Sequence, residues 1–195
     1  MKPKRIFLSV ILLSFFSGCD GPYKNCPDHY FSGEFKAYTT FNPGSYWIYS
    51  DTTLGLTDSI CLITQDMKYK EDCDYHGDPQ ELLSQSFYSS FFAPHSFYMD
   101  CQAENPVYYR NDLFGYFNDG LKIGERMEFT YEAKLDSLMI DNTIYKEVMV
   151  FSQDDLHKYY WAKGIGLVKK VFPDTGNGDT IFNFELVRQH VSRQP

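Results

Sequence analysis

The chain predicts an all-β protein built on one curved antiparallel sheet, as a half-barrel, a barrel or a sandwich. Three observations predict it. Aromatic residues make up 18% of the 195 residues, with 16 Tyr and 17 Phe, and aromatic and β-branched side chains favour strands. Turn residues recur about every 8–15 positions through most of the chain. No run of twelve or more residues carries the apolar period of an amphipathic helix.

The elements follow in order. Residues 20–44 hold Gly21-Pro22, Pro27, Gly33 and Asn42-Pro43-Gly44, all turn signals, and read as a tether and lead-in loop. Ser45 to Ser50, with Tyr46-Trp47-Ile48-Tyr49, reads as the first strand. Ser59 to Lys70 is the second, around Ile60-Cys61-Leu62-Ile63. After the polar turn Asp72 to Pro79, Glu81 to Phe92 fits a long strand or a short helix, and Phe87, Tyr88, Phe91 and Phe92 favour the strand; Ala93-Pro94 stops it. Ser96 to Cys101, Val107 to Arg110 and the short aromatic piece Leu113 to Phe117 continue the series.

The second half runs the same way. Arg126 to Ala133 and Ser137 to Ile140 lead to the turn Asp141-Asn142, and Ile144 to Phe151 is a strong strand. His157 to Ala162 and Ile165 to Phe172 flank Lys163-Gly164, a hairpin turn. Asp174 to Asp179 supplies Gly and Asn for a tight turn. In Thr180 to Val191, Thr180, Phe182, Phe184 and Leu186 share one face and Ile181, Asn183, Glu185 and Val187 the other, the alternation of a strand with one buried side.

The N-terminus carries the functional signal. Lys2, Lys4 and Arg5 form a basic head, Ile6 to Phe16 is an uncharged and mostly apolar run, and Ser17-Gly18-Cys19 ends it. This is the three-part pattern of an export signal, and the run falls short of the roughly 20 residues that span a bilayer. The small residues ahead of Cys19 resemble the lipobox of bacterial lipoproteins, with Phe16 where that family usually has an aliphatic residue. The resemblance implies cleavage before Cys19 and lipid attachment to its thiol. It divides the chain into a signal peptide at 1–18, a lipid-anchored tether and lead-in loop at 19–44, and a single β domain at 45–195.

Loss of residues 1–18 takes away three positive charges and no negative one, so the net charge goes from −8 to −11. Such a chain repels phosphate backbones, which argues against nucleic acid as a partner. Four cysteines follow the anchor, Cys26, Cys61, Cys73 and Cys101. An even count in an exported chain predicts two disulfides, in any of three pairings. No C-x-x-C pair supports zinc.

A second resemblance rests on Asn42-Pro43-Gly44-Ser45-Tyr46-Trp47-Ile48-Tyr49 with Asp58-Ser59, on Ile144-Tyr145-Lys146-Glu147-Val148, and on Tyr160 to Lys169. This layout resembles small lipid-anchored envelope proteins of Bacteroidota whose roles are mostly unassigned. It implies a curved antiparallel sheet and a cell-envelope location, and the expectation for the anchored chain is the outer membrane, on its periplasmic face or at the cell surface. It implies no reaction. Some members carry an acidic cluster after the lipid cysteine that marks surface display; here Asp20 stands alone before Gly21-Pro22-Tyr23.

Reaction chemistry finds little purchase. Asp72-Cys73-Asp74-Tyr75-His76-Gly77-Asp78 starts like a calcium loop, but His76 replaces an oxygen ligand and Leu83 stands where the bidentate Glu belongs. His29, His76, His95, His157 and His190 form no spaced metal motif, and neither a G-x-S-x-G elbow nor a Gly-rich phosphate loop occurs. The expectation is therefore a non-enzymatic protein without cofactor or metal that binds or scaffolds at a membrane. The aromatic belt between Phe87 and Phe117 offers a ligand groove for a sugar, peptide or lipid, with Phe91, Phe92, Tyr98, Tyr108 and Tyr109 as its candidates, against the plainer reading of those rings as core. A hydrolase with spatially paired carboxylates is the third alternative.

Overall fold

The structure is a computed structural model that describes residues 26–71, 78–91, 95–109, 115–118, 120–174 and 180–193. Cys19, Cys73, Phe92 and the side chain of Tyr109 lie outside the described residues. Among the described residues, one helix and eleven strands follow in chain order: α1 (Gly33–Thr39), β1 (Tyr46–Asp51), β2 (Leu56–Lys70), β3 (Gln80–Ser89), β4 (His95–Gln102), β5 (Val107–Tyr109), β6 (Tyr116–Asn118), β7 (Thr130–Ile140), β8 (Thr143–Ser152), β9 (Lys158–Ala162), β10 (Gly166–Pro173) and β11 (Ile181–His190). The fold is all-β, as the aromatic and turn pattern predicts.

Nine strands make one antiparallel sheet in the order β4-β3-β2-β1-β11-β10-β9-β8-β7. The first and last strands of the domain pair at its centre, with Tyr46 opposite His190 and Ser50 opposite Glu185. Two meanders thus run from the middle to opposite edges. β4 and β7 remain the two edges, so the sheet is open rather than a closed barrel. Short turns set the hairpins. Asp141 and Asn142 both take left-handed backbone, φ 41 and 63, the geometry that a two-residue turn between twisted strands requires.

Alternation puts one side chain in two on the concave face. Trp47, Tyr49, Ile60, Leu62, Leu83, Phe87, Tyr159, Trp161, Phe172, Phe184 and Leu186 are all buried there. The hairpin β5–β6 and helix α1 lie on these residues and complete the core. The indole of Trp161 donates to the Tyr116 carbonyl (2.8 Å) and packs edge-on against both Tyr108 and Phe117.

The lead-in segment differs from its expectation as a loop. Residues 33–39 are helical, and Phe31, Phe35, Tyr38 and Phe41 are buried in the core. Ser32 caps the helix, its hydroxyl accepting from the Phe35 N–H (2.8 Å), with Glu34 in the first turn where the helix dipole favours an acid. Seven residues are too few to show a helical period in a twelve-residue window. Burial of Phe35 and Tyr38 holds the helix: Phe35 meets Tyr108 and Phe117 edge-on, and Tyr38 stacks on Phe117. The Tyr38 hydroxyl donates to the Glu147 carbonyl (2.7 Å), where β8 turns into left-handed backbone at φ 48.

The expectation of two disulfides is corrected. Cys61 and Cys101 are free thiols. Cys61 lies opposite Tyr88 and Cys101 opposite Leu83 on β3. Five residues separate those partners, about 17 Å along a strand, and the odd spacing puts the two thiols on opposite faces of the sheet. A disulfide needs Cα atoms within about 7 Å. Cys26 does not carry a free thiol.

Candidate functional site

The aromatic groove is largely filled by the protein itself. Tyr108, offered as a ligand contact, is buried, and its hydroxyl donates to Gln85 Oε1 (2.8 Å). Phe91 packs edge-on against Phe182 and Phe184. Tyr98 is 66% exposed on β4, away from both. Among the described candidates, Phe91, Tyr98 and Tyr108 thus have separate surroundings. Among the described residues, the aromatic face holds a cavity of about 20 Å³ lined by Trp47, Tyr49, Phe87, Tyr108 and Trp161, room for about one water molecule. A drug-sized ligand needs roughly 300–1,000 Å³.

Two polar arrangements take the place of the groove. The first is inside. Lys170 and Asp58 are both fully buried, with Nζ 2.7 Å from Oδ2. Asp58 also accepts from the Ser89 hydroxyl at Oδ1 (2.8 Å). Between β10 and β2 lie β11 and β1, so a flat sheet would separate the two strands by about 14 Å. Lys170 spans this gap across the rings of Phe184 and Tyr49, its ammonium 5.2 and 4.9 Å from their centroids. The pair thus bridges the concavity that sheet curvature creates. Burial pushes the Lys170 ammonium down, and Asp58 opposes that shift. Burial also pushes the Tyr49 phenol well up, with the Asp58 charge adding to it. The side chains are sealed from solvent, so the pair ties strands and does not meet a substrate.

The second arrangement is open. A groove of about 540 Å³ lies between the end of α1, the outer half of β2 and the C-terminal segment. Lys36, Asn42, Gln65, Asp66 and Arg193 supply its polar lining. Gln65 forms the floor: its Oε1 accepts from the Phe41 N–H (3.1 Å) and from Gln85 Nε2 (2.6 Å). Gln85 in turn donates to the Thr39 carbonyl (3.0 Å), so the floor is joined to the helix end above it. Arg193 donates to the Ala37 carbonyl (2.6 Å), and its guanidinium lies 5.2 Å from the Phe41 ring centroid. Lys36 pairs with Glu81 (2.8 Å). Gly166 has φ 97, and a Cβ there would come within 3.1 Å of Phe41; its lack of a side chain lets that ring close the groove from the cavity behind.

Sequence reasoning missed this groove because residues 36–42, 65–67 and 193 meet only in space. One local signal existed. Phe31, just before the capping Ser32, and Phe35 and Tyr38 after it are spaced by four and three, a helical step. His157, read as a surface residue, has Nδ1 3.0 Å from Asp154 Oδ1 in the turn before β9. No protein-family profile, curated protein or solved structure matches this chain.

Proposed function

We propose that this chain is a lipid-anchored protein of the bacterial cell envelope, held at the outer membrane through Cys19, that binds a partner and catalyses no reaction. The observation that carries the reading is the order of basic head, short apolar run and cysteine at the N-terminus. The filled aromatic face favours a partner held at the surface over a small molecule taken inside. The groove beside α1 is the contact surface: Lys36, Asn42, Gln65 and Arg193 offer donors along an open cleft, which suits an extended polar ligand such as a peptide or glycan segment. Cys26 forms a disulfide of the exported domain. With Cys61 and Cys101 free, its partner lies outside the described residues.

One preparation tests these statements: the full chain purified in detergent from its own envelope, alkylated without reduction, and weighed intact. The expected mass starts at an acylated Cys19 and carries two alkyl groups. A chain beginning at Met1 without acyl groups would remove the anchor, and four alkyl groups would remove the disulfide. A co-purifying partner lost from Arg193→Gln supports the groove; equal recovery with that variant counts against it.

A further inference from the structure

At the end of the sheet opposite the turn of β1 and β2, three metal-ligating side chains from distant parts of the chain come together. The imidazole of His29 and the carboxylates of Asp78 and Glu104 place one ligand atom each within 4.8 Å of one another. His29 Nε2 is 3.3 Å from Asp78 Oδ2. Two ligands of a tetrahedral zinc ion, each about 2.0–2.1 Å from the metal, are roughly 3.3 Å apart. His29 and Asp78 already stand at that spacing, and the Glu104 ligand atom lies within 4.8 Å of both.

The backbones of all three are fixed to one short stretch of chain, residues 78–81. His29 forms a parallel bridge with Gln80, donating its N–H to the Pro79 carbonyl (2.9 Å) and accepting from the Glu81 N–H (3.0 Å). Glu104 donates its N–H to Gln80 Oε1 (3.1 Å), while Ala103 donates to the Glu81 carbonyl (3.0 Å). Gln80 is itself buried, so this clamp is part of the core. Asp78 precedes the same stretch in sequence. The donors are therefore held before any ion arrives, which lowers the ordering cost of binding. Lys36, the nearby cation, is engaged by Glu81, whose other contact is the Phe31 N–H (2.9 Å).

We infer that His29, Asp78 and Glu104 form a surface site for a divalent transition-metal ion, zinc or manganese, with water completing the coordination. The donor set decides the class. One imidazole nitrogen with two carboxylates suits zinc or manganese. Magnesium and calcium prefer all-oxygen shells. The two carboxylates supply two negative charges that a divalent ion neutralises. An ion here ties the segment after Cys26 to the starts of β3 and of the turn after β4, and so fixes the tether to the sheet. The proposal is independent of the anchor and of the groove.

The test uses the full chain in detergent, stripped with a chelator and titrated calorimetrically with zinc chloride, manganese chloride and magnesium chloride. Zinc or manganese is expected to bind one to one and to raise the melting temperature, with no response to magnesium. His29→Gln and Glu104→Gln should each weaken binding at least tenfold, since loss even of an outer-shell partner of a metal site costs roughly 10–100-fold. Both residues are partly exposed, so the variants should fold, and unchanged melting of the metal-free variants checks this. Cys61→Ser is the control for a thiol site. Absence of zinc and manganese binding, undiminished binding in both Gln variants, or binding abolished by Cys61→Ser would each overturn the site.

Discussion

Two regions of the same concave face are closed in opposite ways. Under α1 and β5–β6 the cover is apolar: Phe35, Tyr38, Tyr108 and Phe117 come down onto Trp161 and Phe151. Under the turn joining β1 to β2 the cover is a charged pair, Lys170 with Asp58, surrounded by Tyr49, Phe172 and Phe184. The first region is held by burial of large rings, each contributing about 1.5–3 kcal/mol. The second depends on two charges that must stay together, because the loss of hydration offsets most of their attraction. Both regions fill the face, but only the second can be broken by removing a single charge and mended by removing the other.

The largest expected effects test that asymmetry. Lys170→Met leaves Asp58 buried without its partner and should cost about 3–5 kcal/mol in urea unfolding. Adding Asp58→Leu should restore most of this, since replacing a buried pair by apolar groups of similar size is often neutral. Phe117→Ala should cost a similar ~3–5 kcal/mol by leaving a cavity. A loss below about 1 kcal/mol for Lys170→Met would show the charges to be incidental to the packing.

Alkaline titration separates the regions next. Burial pushes the phenols of Tyr38, Tyr49 and Tyr108 well up and the Cys101 thiol up to about 12. Each raised group stabilises the fold below its unfolded pKa, near 10 for Tyr and 8.5 for Cys, and that stability is lost as pH rises further. Lys170, whose folded pKa is pushed down, acts with the opposite sign, but it is one group against four. Stability should therefore fall between pH 9 and 11, read as a dropping urea midpoint. A flat profile over that range would mean that these phenols are open to solvent. The smallest effect belongs to Tyr108→Phe, which removes the donor to Gln85 Oε1 and should cost about 1–2 kcal/mol. No loss would mean that water in the adjoining cavity replaces the hydroxyl.

Much of the strand series was legible. The alternation of Phe182, Phe184 and Leu186 gives the buried face of β11 directly, and Asp141-Asn142 and Lys163-Gly164 fall at hairpin turns. The exported-chain rule for cysteines misled, because it counts thiols without knowing on which face of a strand each one falls. The aromatic belt misled in part, because strand periodicity shows that Tyr108 faces inward but not whether protein or ligand lies against it. The groove and the metal triad left almost no trace, since the chain segments that form them are separated by 23 to more than 100 residues.

Local chemistry in the sequence determined the strands, the turns and the expectation of an anchored, acidic, exported chain. These depend on neighbouring residues, which short-range propensity and alternation describe. Tertiary structure alone decided that β1 and β11 pair at the centre, that a seven-residue helix roofs the core, and that Lys170 reaches Asp58 across two strands. Those outcomes depend on sheet curvature and on the order of strands within the sheet, which bring together residues that no local pattern connects.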